Sequence, residues 1–380
     1  MSRPSLAIST INTTILPVNH RGAWVFVEVW TDAGLIGLGE ASHSGDDLAL
    51  AALIDQFGAR LAGDDPRRIN RAMAKLARPD AGRIYNTALS GVEQALCDVT
   101  AQALGVPLRD LFGGATSDGP IPLYANINRG VTDRTPEGFA SAARGAVEAG
   151  FLAIKLAPFD EVHGARRIRT GAQAAWRDGV ARVAAVREAV GADVQVAVDC
   201  HSRFDVSEAV QVAGAMRELD LMWFEEAVHV DRIAELKTIA DTVAMPTASC
   251  ETLFGAAAFR PYLSEHVVDF IMPDVKHDGG LRETWLIAES ARGTNVTVSP
   301  HNPAGPVATV ASAQVMSASN TTRMLEFPFG EVDWRADVLE PPEPVERGTV
   351  VLNDEPGLGY RLNPEFMKDA RITLRPAQAK

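Results

Sequence analysis

Cysteine is scarce in this chain: Cys97, Cys200 and Cys250 are the only three in 380 residues. An odd, small number in so long a sequence argues against a disulfide framework and predicts a reducing compartment. Long hydrophobic runs are lacking too. No uninterrupted apolar span could cross a bilayer, and the opening MSRPSLAIST has no continuous apolar core of the kind a signal peptide needs, so a cytoplasmic protein without a membrane partner is expected. Positive charge is in deficit, with 36 Lys and Arg against 49 Asp and Glu, a formal net charge of -13, and no basic run. Nucleic-acid binding draws most of its affinity from neutralised phosphates, so a nucleic-acid partner is not expected. An anionic substrate would have to be held by local cations instead of being steered by the overall field.

What remains is the composition of a folded protein, 46% hydrophobic and 22% charged, at a length that predicts a large domain plus a smaller one. AWVFVEVW and LIGLGEA read as two strands around a turn at Asp32, Ala33 and Gly34, a hairpin. Helical stretches follow, the clearest carrying Ala88, Leu89, Val92, Ala95, Leu96 and Val99 on one face and ending at Gly105 before Pro107. From about residue 122 the pattern becomes short apolar runs, PLYANIN, LAIKLA, VQVAVDC, MWFEEA, PTASCE, FIMPDV, VTVSPH and MLEF, several separated by helical stretches such as GVARVAAVREAV. Eight βα-like units predict an α/β fold, a (β/α)8-type TIM barrel with an α+β N-terminal capping domain. The expected division is 1–121 for the capping domain, 122–345 for the barrel, and 346–380 for a C-terminal segment whose strand-like runs lack a barrel partner and return to the capping domain.

Asp199, Glu225, Glu251, Asp274, His301 and Glu326 recur at intervals of roughly 25 residues, about one βα unit each, and are predicted at the carboxyl ends of their strands, the rim where such barrels build active sites. Asp199, Glu225 and Glu251 would converge, and each pair at about 4 Å would repel by roughly 4 kcal/mol at an effective dielectric near 20. A divalent cation would neutralise them, and an all-oxygen set favours Mg2+, with Mn2+ as an alternative, over zinc. Capping of the following helix would account for one such acid, but does not require three on consecutive strands. Glu226 would point to the opposite face from Glu225.

Asp274 and His301, on the next two strand ends, form a general-base arrangement if the carboxylate takes one imidazole N–H and fixes the tautomer of the other nitrogen. His201 lies two residues beyond Asp199 and would share its face, delivering an acid or base beside a ligand. Lys155 lies at the end of the second strand and is a candidate for chemistry, the alternative being a solvated surface amine.

The ordered set of GEAS, LSGVEQALCDVTAQALGVPLRDLFGG, VAVDCH, WFEEA, ASCE, MPDVKHDGGL, SPHNPAGP and MLEFPFGE, spread over nearly the whole chain, resembles the enolase superfamily, in its mandelate racemase branch. The resemblance implies Asp199, Glu225 and Glu251 as Mg2+ ligands, Asp274 and His301 as the base dyad, and Glu326 near a substrate carboxylate. Enolase-type sites use a Lys or His base with Mg2+ stabilising an ene-diolate. Racemases of the branch carry Lys-x-Lys on the second strand, whereas Lys155, Leu156, Ala157 stand here, so that second base is absent. The Asp-x-His of Asp199 and His201 instead is similar to mannonate and galactonate dehydratases. Ala227 replaces a usual Pro, and Cys250 a usual Gly.

The expected activity is therefore a Mg2+-dependent acid-sugar dehydratase: His301 removes the α-proton of a polyhydroxy carboxylate, His201 protonates the departing β-hydroxyl, Lys155 helps to stabilise the enediolate, and a 2-keto-3-deoxy acid results. Arg203 is a candidate contact to substrate hydroxyls, with a surface ion pair as its alternative. PVNHRGAW looks like a mobile closing loop, which makes His20, Arg21 and Trp24 candidate substrate contacts. The partner is a small-molecule acid sugar, and a homo-oligomer is expected. Rival readings are a racemase or epimerase using both imidazoles, a cycloisomerase, a metal-dependent hydrolase, which would want a His-x-His that PLYANIN lacks, and a barrel that binds sugar acids without turning them over.

Overall fold

The computed structural model describes residues 6–78, 81–162, 175–370 and 372–374. The N-terminal unit is an antiparallel meander of β1 (Ile8–Asn19), β2 (Gly22–Thr31) and β3 (Ile36–Glu40), with Ile372–Leu374 pairing along the outer edge of β1. The β2–β3 turn falls at Asp32 to Gly34, as the sequence predicts. β1 was not among the expected strands, and the segment expected as a mobile loop instead runs in strand through Asn19 and again from Gly22. Only His20 and Arg21 form the turn, which the Asn19 side chain closes by accepting from the Arg21 N–H at 2.8 Å while Gly22 supplies a φ of 135°.

Three helices cover this sheet: α1 (Asp47–Leu61), capped by Asp46, α2 (Ile69–Leu76) and α3 (Arg83–Leu104). α3 lies almost flush on β3, because a Cβ at Gly37 would come within 2.0 Å of the Ala95 carbonyl and one at Gly39 within 2.3 Å of the Gly91 carbonyl. It ends where the spacing predicts, with Gly105 left-handed at φ 70°.

The second unit is a closed parallel barrel of eight strands: β4 (Ile121–Asn126), β5 (Ala153–Leu156), β6 (Gln195–Asp199), β7 (Leu221–Glu225), β8 (Thr247–Ser249), β9 (Phe270–Ile271), β10 (Thr297–Val298) and β11 (Leu325–Pro328). Each follows its predecessor in hydrogen-bonded order through β10, and β11 closes the circle on β4. Helices α4 (Pro136–Glu148), α5 (Ala175–Val190), α6 (Val206–Ala215), α7 (Ile233–Ala240), α8 (Ala256–Ser264), α9 (Leu281–Ser290) and α10 (Pro306–Ser317) follow the first seven strands. β11 is followed by a 3-10 turn, Arg335–Val338, where an eighth α-helix is expected. Thr349–Val350 pairs antiparallel with β4, so this run does have a barrel partner, contrary to expectation. Among the described residues no helix is long and apolar enough to cross a membrane.

The lumen is filled by large side chains set against small ones. Tyr124, Trp223, Phe270 and Met272 interdigitate with Ala153, Ala197 and Ala248, and Trp223 meets Tyr124 edge-on at 5.2 Å. This plug also reaches the acids above it: the Trp223 indole N–H donates to Glu225 Oε2 at 2.8 Å.

α3 is buried on nearly all sides, because the sheet covers one face and the barrel the other. Its polar residues therefore find partners across the junction. Glu93 accepts from the N–H groups of Leu281 and Arg282 at the start of α9, Ser90 from Gly279 N–H, and Asp98 from Leu38 and Leu358 N–H. Gln94 donates to Val275 O, and Thr87 meets His277 Nδ1 at 2.9 Å. From β3, Glu40 accepts from Gly305 and Ala308 N–H at the start of α10. Glu93 and Glu40 thereby cap helices of the other unit, where the helix dipole favours negative charge.

Candidate active site

Short strands that end together leave their last side chains around one opening. Asp199 is the last residue of β6 and Glu225 of β7, while Glu251 lies two residues beyond the end of β8. One carboxylate oxygen from each lies within 4.8 Å of the others. Asp274 and His301 follow in the extended chain beyond β9 and β10, but Glu326 is the second residue of β11, inside the strand and not at its end. Non-glycine residues in left-handed backbone cluster at these tips: His201 at φ 46°, Ser202 at 56°, Glu226 at 46° and Cys250 at 91°. Each costs of order 1–3 kcal/mol, so packing must hold it in place, and such strain gathers where side chains are aimed for function. Cys250 thus adopts a backbone that the usual Gly would take freely.

Glu225 and Glu226 find different partners, as alternation predicts, although Glu226 lies one residue past β7 in left-handed backbone. Glu226 is saturated by Ser249 Oγ–H, Cys250 N–H and Ser202 Oγ–H. Glu225 faces Lys155, whose Nζ is 3.0 Å from its Oε1 and 3.1 Å from Glu326 Oε1. Lys155 is fully buried, not a surface amine, and although burial opposes its charge, Glu225 and Glu326 hold its pKa well above the usual lysine value. Glu326 accepts further from Asn302 N–H and Asn126 Nδ2, and Lys155 and His301 keep it ionised against its burial. Burial, with the charges of Asp199, Glu251 and Glu326 added, pushes Glu225 well up despite Lys155. Glu251 Oε2 is buried without a hydrogen bond, its nearest cationic neighbour being His301 Nε2 at 3.1 Å. Three converging carboxylates, an all-oxygen donor set, fit a hard divalent cation such as Mg2+ or Mn2+.

Imidazoles flank the acids on two sides. His301 Nδ1 is 2.7 Å from Asp274 Oδ2, and its Nε2 is 3.1 Å from Glu251 Oε2. Burial opposes protonation of His301, but Glu251, Glu326 and Asp274 together raise its pKa. Asp274 is itself fixed by Lys276, a buried ammonium 2.5 Å from Oδ2 whose backbone N–H also donates to Oδ1. Despite burial, Lys276 and His277 hold Asp274 well below the ordinary carboxylate range. Across the cluster His201 Nε2 is 2.8 Å from Asp199 Oδ2, and Nδ1 is 2.6 Å from Asp160 Oδ1. The Asp199 charge, against burial and with Asp160 assisting, pushes His201 up to about 11. Its left-handed backbone, not strand alternation, folds the ring back onto Asp199.

The remaining expected contacts lie in different surroundings. Arg203 is half-buried and its Nε has no hydrogen bond. His20 is exposed at the hairpin tip, whereas Arg21 is half-buried and feels the charges of Asp160, Arg129, Arg134 and Glu331. Trp24 is enclosed in the interdomain core, 5.4 Å edge-on from Trp334 and beneath Arg335, and exposes nothing to a ligand. The sequence reading missed Asp160, Lys276 and the chain His43, Arg129, Glu331, in which Arg129 lies 3.1 Å from His43 Nε2 and pairs with Glu331. Lys276, two residues after Asp274, could have been found by the spacing argument used for His201. Asp160, in a turn after β5, carried no such signal.

Residues 138–366 match the enolase C-terminal domain-like family, and residues 6–113 match the N-terminal domain of the mandelate racemase/muconate lactonizing enzyme family. The chain is 31% identical over 365 residues to a D-xylonate dehydratase of Haloferax volcanii, covering 94% of this chain and 87% of that protein. It is 31% identical to a D-galactonate dehydratase of Verminephrobacter eiseniae, over 90% of this chain and 89% of that one. A solved mandelate racemase/muconate lactonizing enzyme-like protein from Rubrobacter xylanophilus superposes with a TM-score of 0.87 at 32% identity, with 98% of each chain covered.

Proposed function

The chain belongs to the mandelate racemase/muconate lactonizing enzyme family, as a carbon–oxygen lyase of the enolase superfamily, and we propose that it dehydrates a polyhydroxy carboxylate. The observation that carries this reading is the pair of imidazoles on either side of the acid cluster, His301 beside Glu251 and His201 beside Asp199. His301, its Nδ1 turned to Asp274, takes the α-proton at Nε2. His201 gives a proton to the β-hydroxyl, which leaves as water, and the enol that remains ketonises to a 2-keto-3-deoxy acid. Lys155 lies where it can share the negative charge that develops on the substrate carboxylate. Asp199, Glu225 and Glu251 would hold Mg2+, which when bound supplies Lewis-acid stabilisation of that same charge. Ala157 offers no second-strand base, which disfavours the lysine-based racemisation of relatives.

The test is a library of acid sugars incubated with the protein and Mg2+, with 2-keto acid formation as the readout. Product is expected from at least one member, a loss of about 10^2 to 10^4 in turnover for His301→Asn, and none after removal of divalent ions. Inversion at the α-carbon in D2O without loss of water, or full activity without a divalent ion, would overturn the reading.

A further inference from the structure

The second imidazole has its own orienting acid. Asp160 lies in the turn after β5, and its Oδ1 is 2.6 Å from His201 Nδ1, a spacing like the 2.7 Å between Asp274 and His301. Asp160 is itself held: its Oδ2 is 3.4 Å from Asn128 Nδ2 and 3.5 Å from an Arg134 guanidinium nitrogen, while Arg134 also donates to Asn128 Oδ1 and to Ala157 O. His201 needs such a brace. It sits on a left-handed turn with Ser202 and its side chain is about one-third exposed, so the ring is held less by packing than by its two carboxylate neighbours, Asp199 at Nε2 and Asp160 at Nδ1. Accepting the Nδ1–H hydrogen bond fixes the tautomer and the ring plane, leaving Nε2 as the nitrogen that faces the acid cluster.

We propose that Asp160 is a positioning residue for the elimination half of the reaction, acting through His201 and not through His301. This rests on the dehydratase reading. In the step concerned, the electron pair left at the α-carbon forms the Cα–Cβ double bond as the Cβ–O bond breaks. The departing oxygen takes the proton from His201 Nε2 and leaves as water, and the enol later gains a solvent proton at Cβ. Abstraction of the α-proton by His301 precedes this and does not involve Asp160.

The two halves separate in D2O with a substrate that the wild-type enzyme turns over. In Asp160→Ala, water loss is expected to fall at least about 10-fold, while deuterium still enters the α-position of recovered substrate, so the ratio of exchange to elimination rises by a similar factor. Asp160→Asn, whose amide oxygen can still accept from Nδ1–H, is expected to recover part of the elimination rate. His201→Asn should reproduce the Asp160→Ala pattern, and the double variant should be no worse than His201→Asn alone, since the two act as one unit. If exchange and elimination fall together, if neither changes, or if the double variant shows additive losses, the assignment to Asp160 is wrong while the dehydratase reading stands. If the wild-type enzyme forms no 2-keto acid from any acid sugar, the reading fails and the assignment with it.

Discussion

Two groups of buried carboxylates lie in this molecule, and they differ in what they face. Glu40 and Glu93, at the junction, each accept from two backbone N–H groups at the start of a barrel helix, and Asp98 accepts from Leu38 N–H of β3 and from Leu358 N–H. Asp199, Glu225 and Glu251, at the barrel mouth, face one another, with an ammonium and two imidazoles as their neighbours. Burial raises the pKa of Glu225 at the mouth and, at the junction, that of Glu93 to about 7 and of Asp98 to about 6, whereas His201 and Lys155 hold Asp199 low despite its burial. What separates them is the partner: a dipole that completes a helix end satisfies a carboxylate, whereas a second carboxylate leaves it wanting a cation. Burial of an acid is thus no mark of function until its partner is known.

Substitutions should divide along the same line. The largest effect is expected for Glu251→Gln, which removes one face of the cation site. Turnover should fall by at least about 10^3, several kcal/mol of transition-state stabilisation, and calorimetry should show weakened Mg2+ binding. The melting temperature of the metal-free protein should hold or rise, because like charges are relieved; a large drop would place Glu251 with the structural acids. Glu40→Ala should do the reverse, stranding the Gly305 and Ala308 N–H groups and costing about 3 kcal/mol of stability by denaturant unfolding, with Mg2+ affinity unchanged.

The smallest effect concerns pH. Glu93 has an ordinary value of 4.5 and a folded value of about 7, so between these the native protein binds its proton more tightly than the unfolded chain. Its contribution to stability is complete below 4.5 and is lost as pH rises through 7, up to about 3 kcal/mol for a shift of this size. Glu93→Gln should therefore flatten the decline in melting temperature across that window. An unchanged slope would show that the N–H groups of α9 already hold the wild-type carboxylate ionised.

Much of the mouth was legible because strand period and unit spacing constrain it. Eight apolar runs became eight strands, and Asp199 and Glu225 close theirs. Contacts made across the chain were not legible. β1 escaped because its burial departs from simple alternation, Thr13 through Leu16 all being buried between sheet neighbours and helices. Trp24 stood in two readings at once, at the start of the strand AWVFVEVW and at the end of the loop PVNHRGAW, and only its packing against Trp334 and Arg335 decides for the strand. The polar residues of α3 gave no sign that a second unit would cover them, and Asp160 reaches His201 through a turn that no periodicity describes. Glu226 shows the opposite case: alternation alone separated it from Glu225, and its hydrogen bonds agree.

α3 belongs by sequence to the N-terminal unit, yet through Thr87, Ser90, Glu93 and Gln94 it fastens the stretch 275–282 that begins one residue after Asp274. The two units are consequently poor modules for recombination. A chimera that borrowed its first hundred residues from a relative would inherit a foreign mounting for the proton-abstracting pair, and grafts made to alter substrate preference would have to import that helix face along with the loops.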